Sequence, residues 1–197
     1  MKNKYIVESL VSLLKGYKSV TKEEPEGAQR NKDLSGIVYL IGQTIRQYKS
    51  PASNIHVSVK AYDLWNKITN MSMDICDYRE PICCDKIKEG ETVECKTYVG
   101  SKKEGKTRFL HTNETVVFNA IFHAEHVVPV KVIRDELLAL PEIEEASVIA
   151  ILNKMHIAKI LKEEDRNLAR TAGRTSDFEQ NIRDFYMEKN IEFVELK

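Results

Sequence analysis

A carboxylate and an imidazole stand side by side in residues 122–130, which read FHAEHVVPV. Glu125 and His126 are adjacent, and His123 lies two residues before Glu125. An imidazole titrates near neutral pH and suits a general base, whereas a carboxylate is a hard oxygen ligand suited to Mg²⁺. The pair therefore predicts a hydrolytic site in which His126 takes a proton from water and Glu125 holds a cation.

The run Glu125-His126-Val127-Val128-Pro129 resembles the opening of the HNH motif, the signature of the ββα-metal nucleases. The resemblance implies a strand that carries Glu125 and His126, then a returning strand and a helix. We interpret residues 156–161 as that returning strand and residues 162–170 as the helix. His156 then occupies the position usually held by Asn, which orients the catalytic His, and Asp165 occupies the position of the second metal ligand.

The resemblance implies an endonuclease, of restriction or defence type, that hydrolyses DNA phosphodiester bonds. His126 and His156 are the expected catalytic residues, and Glu125 and Asp165 are the expected ligands of Mg²⁺ or Mn²⁺. Asn153 and Asn167 are nearby substitutes for the motif Asn. His123 is a candidate for a further metal or phosphate contact, although we expect it to face the side opposite Ala124 without an essential role.

Basic residues on both sides of this segment are candidates for contacts with DNA phosphates. They are Lys106, Arg108, Arg166, Arg170 and Arg174. The chain as a whole is neutral, with 30 basic and 30 acidic residues, and this balance neither supports nor excludes a nucleic-acid partner.

Two other interpretations of the sequence stay open. Glu94-Cys95-Lys96, preceded by Asp85, resembles the acidic-X-Lys strand of the PD-(D/E)XK nucleases, which predicts the same reaction from different residues. A non-catalytic protein that binds nucleic acid or another partner through a degenerate HNH fold is the alternative from another functional class.

The apolar periodicity predicts the elements that must position these residues. In the first half of the chain we expect helices over 4–17 and 34–48, a loop over 21–33, and a third segment over 57–68. In the second half we expect strands over 92–99, 107–110 and 122–130, then helices over 131–140 and 143–154. A capping box at Ser176–Glu179 predicts a helix to 189, and a strand over 191–196 follows.

These elements predict an α+β fold: a helical N-terminal region, a ββα-metal core and a C-terminal helix–strand unit. We place the helical region, for recognition or for a homodimer interface, at residues 1–90 and the nuclease region at 91–197. No signal-type or bilayer-length apolar run is present, so we expect a cytoplasmic protein without membrane contact. Cys76, Cys83, Cys84 and Cys95 lack the paired spacing of a zinc site, and we expect reduced thiols.

Residues 100–107, GSKKEGKT, match the Walker A pattern literally. A P-loop needs a helix that starts at its Lys-Thr, and the β-rich residues after Thr107 favour a hairpin turn instead. We therefore predict that ATP and GTP do not bind detectably in calorimetry, and that Lys106→Ala changes stability by less than about 0.5 kcal/mol. Tight nucleotide binding that disappears in Lys106→Ala would contradict the hairpin interpretation.

Overall fold

The computed structural model describes residues 2–23, 26–68, 81–82, 93–98, 105–110, 116–117, 122–168 and 173–194. The fold is α+β, as predicted, and it is mostly helical. The chain divides into two compact units, each made of segments that alternate along the sequence. Unit 1 comprises residues 1–54, 126–156 and 171–182, and unit 2 comprises residues 55–125, 157–170 and 183–197. The predicted division near residue 90 falls outside the described residues and stays a prediction.

The described helices and strands have the following bounds. The helices are α1 Lys2–Glu23, α2 Ala28–Ile45, α3 Val59–Ile68, α4 Val130–Ala139, α5 Glu145–Leu152, α6 Lys162–Asn167 and α7 Phe178–Asn181. The strands are β1 Ile55–Val57, β2 Pro81–Ile82, β3 Val93–Tyr98, β4 Gly105–Leu110, β5 Val116–Val117, β6 Phe122–His126 and β7 Ile157–Leu161. None of these helices combines the length and apolar character that crossing a bilayer requires.

Unit 1 is a helical cluster in which α1 packs on α2 and α5, and α4 packs on α2 and α5. Val7, Leu10 and Leu14 recur along one face of α1 and are almost completely buried. Ile41 and Ile45 of α2 are fully buried in the same core. Burial of this apolar stripe, at about 1.5–3 kcal/mol per large side chain, stabilises α1 far more than helix propensity does.

The predicted loop over residues 21–33 is wrong, because α1 extends to Glu23 and α2 already begins at Ala28. Residues 28–33 lack an apolar period because the first turns of α2 are largely exposed. These residues are nevertheless compatible with a helix, and the Gln29 side chain donates to Asp33 at 2.9 Å, one turn further on. Apolar periodicity reports only the part of a helix that packs against a core.

The main sheet of unit 2 has the strand order β1-β7-β6 within the described residues. Strand β1 is parallel to β7 in the register Ile55↔Ile157, and the sheet is mixed. Strands β3 and β4 form an antiparallel pair from Val93↔Leu110 to Tyr98↔Gly105, which confirms the predicted hairpin. Lys106 and Thr107 therefore lie in a strand, where a P-loop would need the start of a helix.

The predicted strand over 122–130 is too long, because β6 ends at His126 and α4 begins at Val130. Pro129 stands immediately before that helix with φ −60° and ψ 141°. Proline has no N–H to donate to a neighbouring strand, and its fixed φ suits the entry to a helix. It therefore marks a change of element rather than a strand end.

The C-terminal helix is shorter than predicted and is capped by a different residue. Asp177, rather than Ser176, accepts a hydrogen bond from the backbone N–H of Gln180 at 3.0 Å and starts α7. A π-helical turn at Ile182–Tyr186 and a 3₁₀ turn at Met187–Lys189 follow in place of a regular helix. In the described part of residues 191–196, the pairing is a single bridge between Phe193 and Ser58.

A buried carboxylate anchors α6 to the sheet of unit 2. Glu164 is 3% exposed, and its Oε2 accepts hydrogen bonds from the Ser58 hydroxyl at 2.7 Å and from the Leu161 N–H at 2.8 Å. Ser58 follows β1 and its own N–H donates to the Lys159 carbonyl of β7 at 3.0 Å. The carboxylate thereby joins the ends of two parallel strands to the helix that follows one of them.

Replacement of Ser58 tests this anchor. Ser58→Ala removes a donor to a buried carboxylate and also the acceptor of the Ala61 N–H at the start of α3, so we expect the free energy of unfolding to fall by about 1.5–3 kcal/mol. Urea denaturation measures this loss. Ser53→Ala is the matched control, because Ser53 is exposed and its hydroxyl donates to the side chain of its neighbour Asn54, and we expect a change within about 0.5 kcal/mol. Equal effects of the two changes would contradict the anchoring role.

Candidate metal centre

Three potential metal ligands converge in unit 2. They are His123 and Glu125 on β6 and Asp165 on α6, and their ligand atoms all lie within 4.8 Å of one another. His123 Nε2 lies 3.2 Å from Glu125 Oε2 and 3.7 Å from Asp165 Oδ1. Among the residues whose side chains are described, this is the group of His, Cys, Asp and Glu that suits a metal ion. The expected approach of Glu125 to Asp165 is present.

The strand and the helix supply these side chains in different ways. Side chains two residues apart in a strand share a face, so β6 presents His123 and Glu125 together. Asp165 comes from α6, the helix that follows β7, and its neighbour Glu164 is the buried anchor of that helix. The position of Asp165 is therefore set by the hydrogen bonds of the residue before it.

The cluster is partly open to solvent. The side chains of His123, Glu125 and Asp165 are 37%, 21% and 35% exposed. A site buried to this degree is open to an ion or a substrate phosphate. Water and salt screen its charges less than they screen charges on a fully exposed surface. Two carboxylates held close together in such surroundings favour a cation between them.

The charges of the cluster act on the imidazole of His123. Its hydrogen bond with Glu125 raises the pKa of His123 above the ordinary value, against the opposing effect of burial. The negative charges of Asp165 and Glu125 raise this pKa further, and the positive charge of Lys162 opposes them. A proton on His123 would balance the charge of these two carboxylates, as a divalent cation would.

The sequence names His123 as a candidate for a further metal or phosphate contact, without an essential role, and the structure places it in the cluster. The expected direction of His123, opposite Ala124, is the face that Glu125 also occupies, because side chains alternate along a strand. The spacing His123-X-Glu125 within a predicted strand is the signal that identifies this pair. A strand that presents two metal-ligand side chains on one face has this pattern.

His126 ends β6 and belongs to unit 1. Its backbone carbonyl accepts a hydrogen bond at 3.2 Å from Nη1 of Arg174, which is 5% exposed. The next carbonyl, that of Val127, accepts from the side-chain amide of the fully buried Asn181 at 3.1 Å. The segment after the strand is therefore fixed by its main chain. Arg174 thus has a structural contact with the main chain, and the phosphate contact expected of it stays a prediction.

His156 also belongs to unit 1, where its ring stacks on Phe178 with the ring centroids 4.0 Å apart. Its carbonyl accepts a hydrogen bond from the N–H of Val127 at 3.0 Å, so its main chain supports the residue that follows His126. Burial lowers the pKa of His156, and the charge of Glu179 opposes that effect. The catalytic role that we expect of His156 stays a prediction.

The other candidate residues occupy separate places in the described chain. The Asn153 side-chain oxygen accepts from the Tyr48 hydroxyl at 2.8 Å, a contact within unit 1. Arg166 and Asn167 are exposed in α6, near the end of that helix. Lys106, Arg108, Glu94, Lys96 and Cys95 lie in the β3–β4 pair, of which the backbone alone is described. Arg170, Asp85, Cys76, Cys83 and Cys84 lie outside the described residues.

Comparisons with known proteins give this chain no relatives. No protein-family model matches it, and neither does any curated protein or solved structure. An assignment of function therefore depends on the chemistry of the cluster.

The environment of His156 predicts how this residue titrates. Because burial lowers its folded pKa below about 6.5, the unfolded chain binds the proton first as the pH falls, and the folded state loses stability in that interval. We expect His156→Gln to lose less unfolding free energy than the parent between about pH 7.5 and pH 5.5. Urea denaturation across that interval measures the difference, and NMR titration of the ring, assigned with the variant, gives the pKa directly. A titration at or above the ordinary value would contradict the burial effect.

Proposed function

We propose that this chain is a metal-dependent endonuclease that hydrolyses DNA phosphodiester bonds. The observation that carries the proposal is the convergence of His123, Glu125 and Asp165 from one strand and one helix. Two carboxylates and an imidazole at this separation are a ligand set for a divalent cation. The sequence around them resembles the HNH motif in the order of its acidic residue, His and Pro.

The order of the elements supports the same proposal. Strand β6 carries Glu125, strand β7 lies beside it in the sheet, and α6 with Asp165 follows directly. Since β7 is parallel to β1 in a mixed sheet, β6 is antiparallel to β7. Two antiparallel strands followed by a helix that returns a ligand is the arrangement that the HNH resemblance implies. Helices α4 and α5 form the long connection between the strands.

Each proposed residue has a defined task in the reaction. Glu125 and Asp165, together with His123, hold Mg²⁺ or Mn²⁺. When bound, the cation supplies positive charge that stabilises the negative charge developing on the phosphate. His126, next to Glu125 in the chain, takes a proton from the attacking water, a step for which a neutral imidazole is suited at physiological pH. His156 supports the segment after His126 through its carbonyl.

Cleavage of supercoiled plasmid in Mg²⁺ or Mn²⁺ tests the proposal. His126→Ala removes the proposed base, and we expect cleavage to slow by about 10²–10⁴-fold while DNA binding persists. Asp165→Ala removes a ligand and should cause a comparable loss. In the double variant, the increase in activation free energy should be much smaller than the sum of the increases in the two single variants, because both residues serve one step. Excess chelator should abolish cleavage.

Matched controls separate the metal centre from its surroundings. Glu163→Ala removes an exposed carboxylate from the same helix as Asp165, and we expect near-normal cleavage. Glu94→Ala and Lys96→Ala should also stay active. A folded His126→Ala protein that cuts at the parental rate, with Lys96→Ala inactive, would move the active site to the PD-(D/E)XK-like strand. DNA binding without cleavage in any divalent metal would favour the non-catalytic alternative.

A further inference from the structure

The imidazole in the cluster distinguishes this site from one built only of oxygen ligands. His123 Nε2 lies at 3.2 Å and 3.7 Å from the nearest oxygens of Glu125 and Asp165. Ligands about 2.1 Å from one ion, at octahedral or tetrahedral angles, lie about 3.0–3.4 Å from each other. Shifts of about half an ångström or less along these two separations reach that spacing, within the range of ordinary side-chain adjustment.

From this geometry we infer that His123 is a direct metal ligand and that its nitrogen makes the site prefer a transition-metal ion over Mg²⁺. The inference rests on the metal centre of the proposed function and names its ion class: divalent first-row metals such as Mn²⁺, Co²⁺ or Zn²⁺. It assigns to His123 a role in selecting the cofactor, in addition to balancing the charge of two carboxylates.

The preference follows from ligand chemistry. Mg²⁺ takes oxygen ligands and keeps several waters, and it loses its hydration reluctantly. Imidazole nitrogen suits Zn²⁺, Fe²⁺, Co²⁺ and Ni²⁺, whose affinity for a site with nitrogen and oxygen donors rises along the first row. Carboxylate oxygens alone discriminate only weakly between these ions and Mg²⁺. The nitrogen therefore contributes most of the discrimination, and its loss should weaken transition-metal binding more than Mg²⁺ binding.

The fold holds these ligands in place before an ion arrives. His123 and Glu125 share one face of β6, so their relative position is set by the strand. Asp165 follows Glu164, whose buried carboxylate is fixed by Ser58 and Leu161. Residues that support the ligands in this way orient them toward the ion and reduce the entropy lost on binding.

A second account gives His123 a different role. A protonated His123 would form ion pairs with Glu125 and Asp165 and would hold the two carboxylates together without touching a metal. The two accounts differ in what removal of the imidazole does. Loss of a nitrogen ligand changes the coordination of the ion and its selectivity, whereas loss of an ion-pair partner affects all divalent cations to a similar extent.

Metal binding to the full chain, without DNA, separates these accounts. Pulsed electron paramagnetic resonance of bound Mn²⁺ detects nitrogen that is coordinated directly, and calorimetry measures the affinities for Mn²⁺, Co²⁺ and Mg²⁺. We expect nitrogen coupling in the parent protein and its loss in His123→Gln. We expect the affinities for Mn²⁺ and Co²⁺ to fall about 10–100-fold in that variant, and the affinity for Mg²⁺ to fall less than about threefold.

His56→Gln is the matched control, because it removes an imidazole of unit 2 that stacks edge-on against Phe193 instead of joining the cluster. It should retain the nitrogen coupling and the affinities. Circular dichroism and thermal unfolding of each variant verify the fold. A parent protein that binds neither Mn²⁺ nor Co²⁺ would overturn the inference. Nitrogen coupling that persists in His123→Gln, or equal losses for Mn²⁺ and Mg²⁺, would also overturn it.

The outcomes of this experiment are distinct from those of the cleavage assay. Nitrogen-coordinated Mn²⁺ in a chain that never cuts DNA would support the ligand role of His123 and contradict the nuclease. If the parent shows no nitrogen coupling, and His123→Gln cleaves DNA with Mg²⁺ as the parent does, the nuclease is supported and the ligand role of His123 is contradicted.

Discussion

The buried carboxylate of Glu164 is the constraint on which the geometry of the candidate metal centre depends. A carboxylate that is almost fully removed from water is costly unless its oxygens accept hydrogen bonds, and here Ser58 and the Leu161 N–H donate to the same oxygen. These donors lie beyond β1 and at the end of β7, so the orientation of α6 is tied to both parallel strands. Because Asp165 follows Glu164 in the same short helix, the position of this candidate ligand depends on a contact outside the cluster.

A second constraint is the balance of charge between β6 and α6. Glu125 and Asp165 are brought near to each other in a partly buried place, and this is unfavourable without positive charge between them. The imidazole of His123 meets that need when it carries a proton, and a divalent cation meets it more fully. One arrangement therefore serves both the ion-free protein and the proposed metal-bound enzyme. The strand and the anchored helix hold the ligand atoms of the three side chains within 4.8 Å of one another without an ion.

Local patterns in the sequence predicted β7, α6, the β3–β4 hairpin and the approach of Asp165 to Glu125. Each of these depends on neighbouring residues or on the order of adjacent elements. The anchor was beyond such reasoning, because Ser58 and Glu164 are 106 positions apart and β1 has only three residues. The first turns of α2 were missed because exposed residues carry no apolar period. His123 was a candidate metal contact from its spacing to Glu125, but its approach to Asp165 was beyond any local pattern, because 42 positions separate the two residues.

The main chain on either side of His126 is held by hydrogen bonds from several other residues. The Arg174 guanidinium and the Asn181 amide bind the carbonyls of His126 and Val127, and the Val127 N–H binds the His156 carbonyl. These are main-chain groups that any residue at position 126 would present. These hydrogen bonds hold the main chain at the exit from β6, just before the change from strand to helix at Pro129. None of these three hydrogen bonds involves the His126 imidazole, so this part of the main-chain support is independent of that side chain.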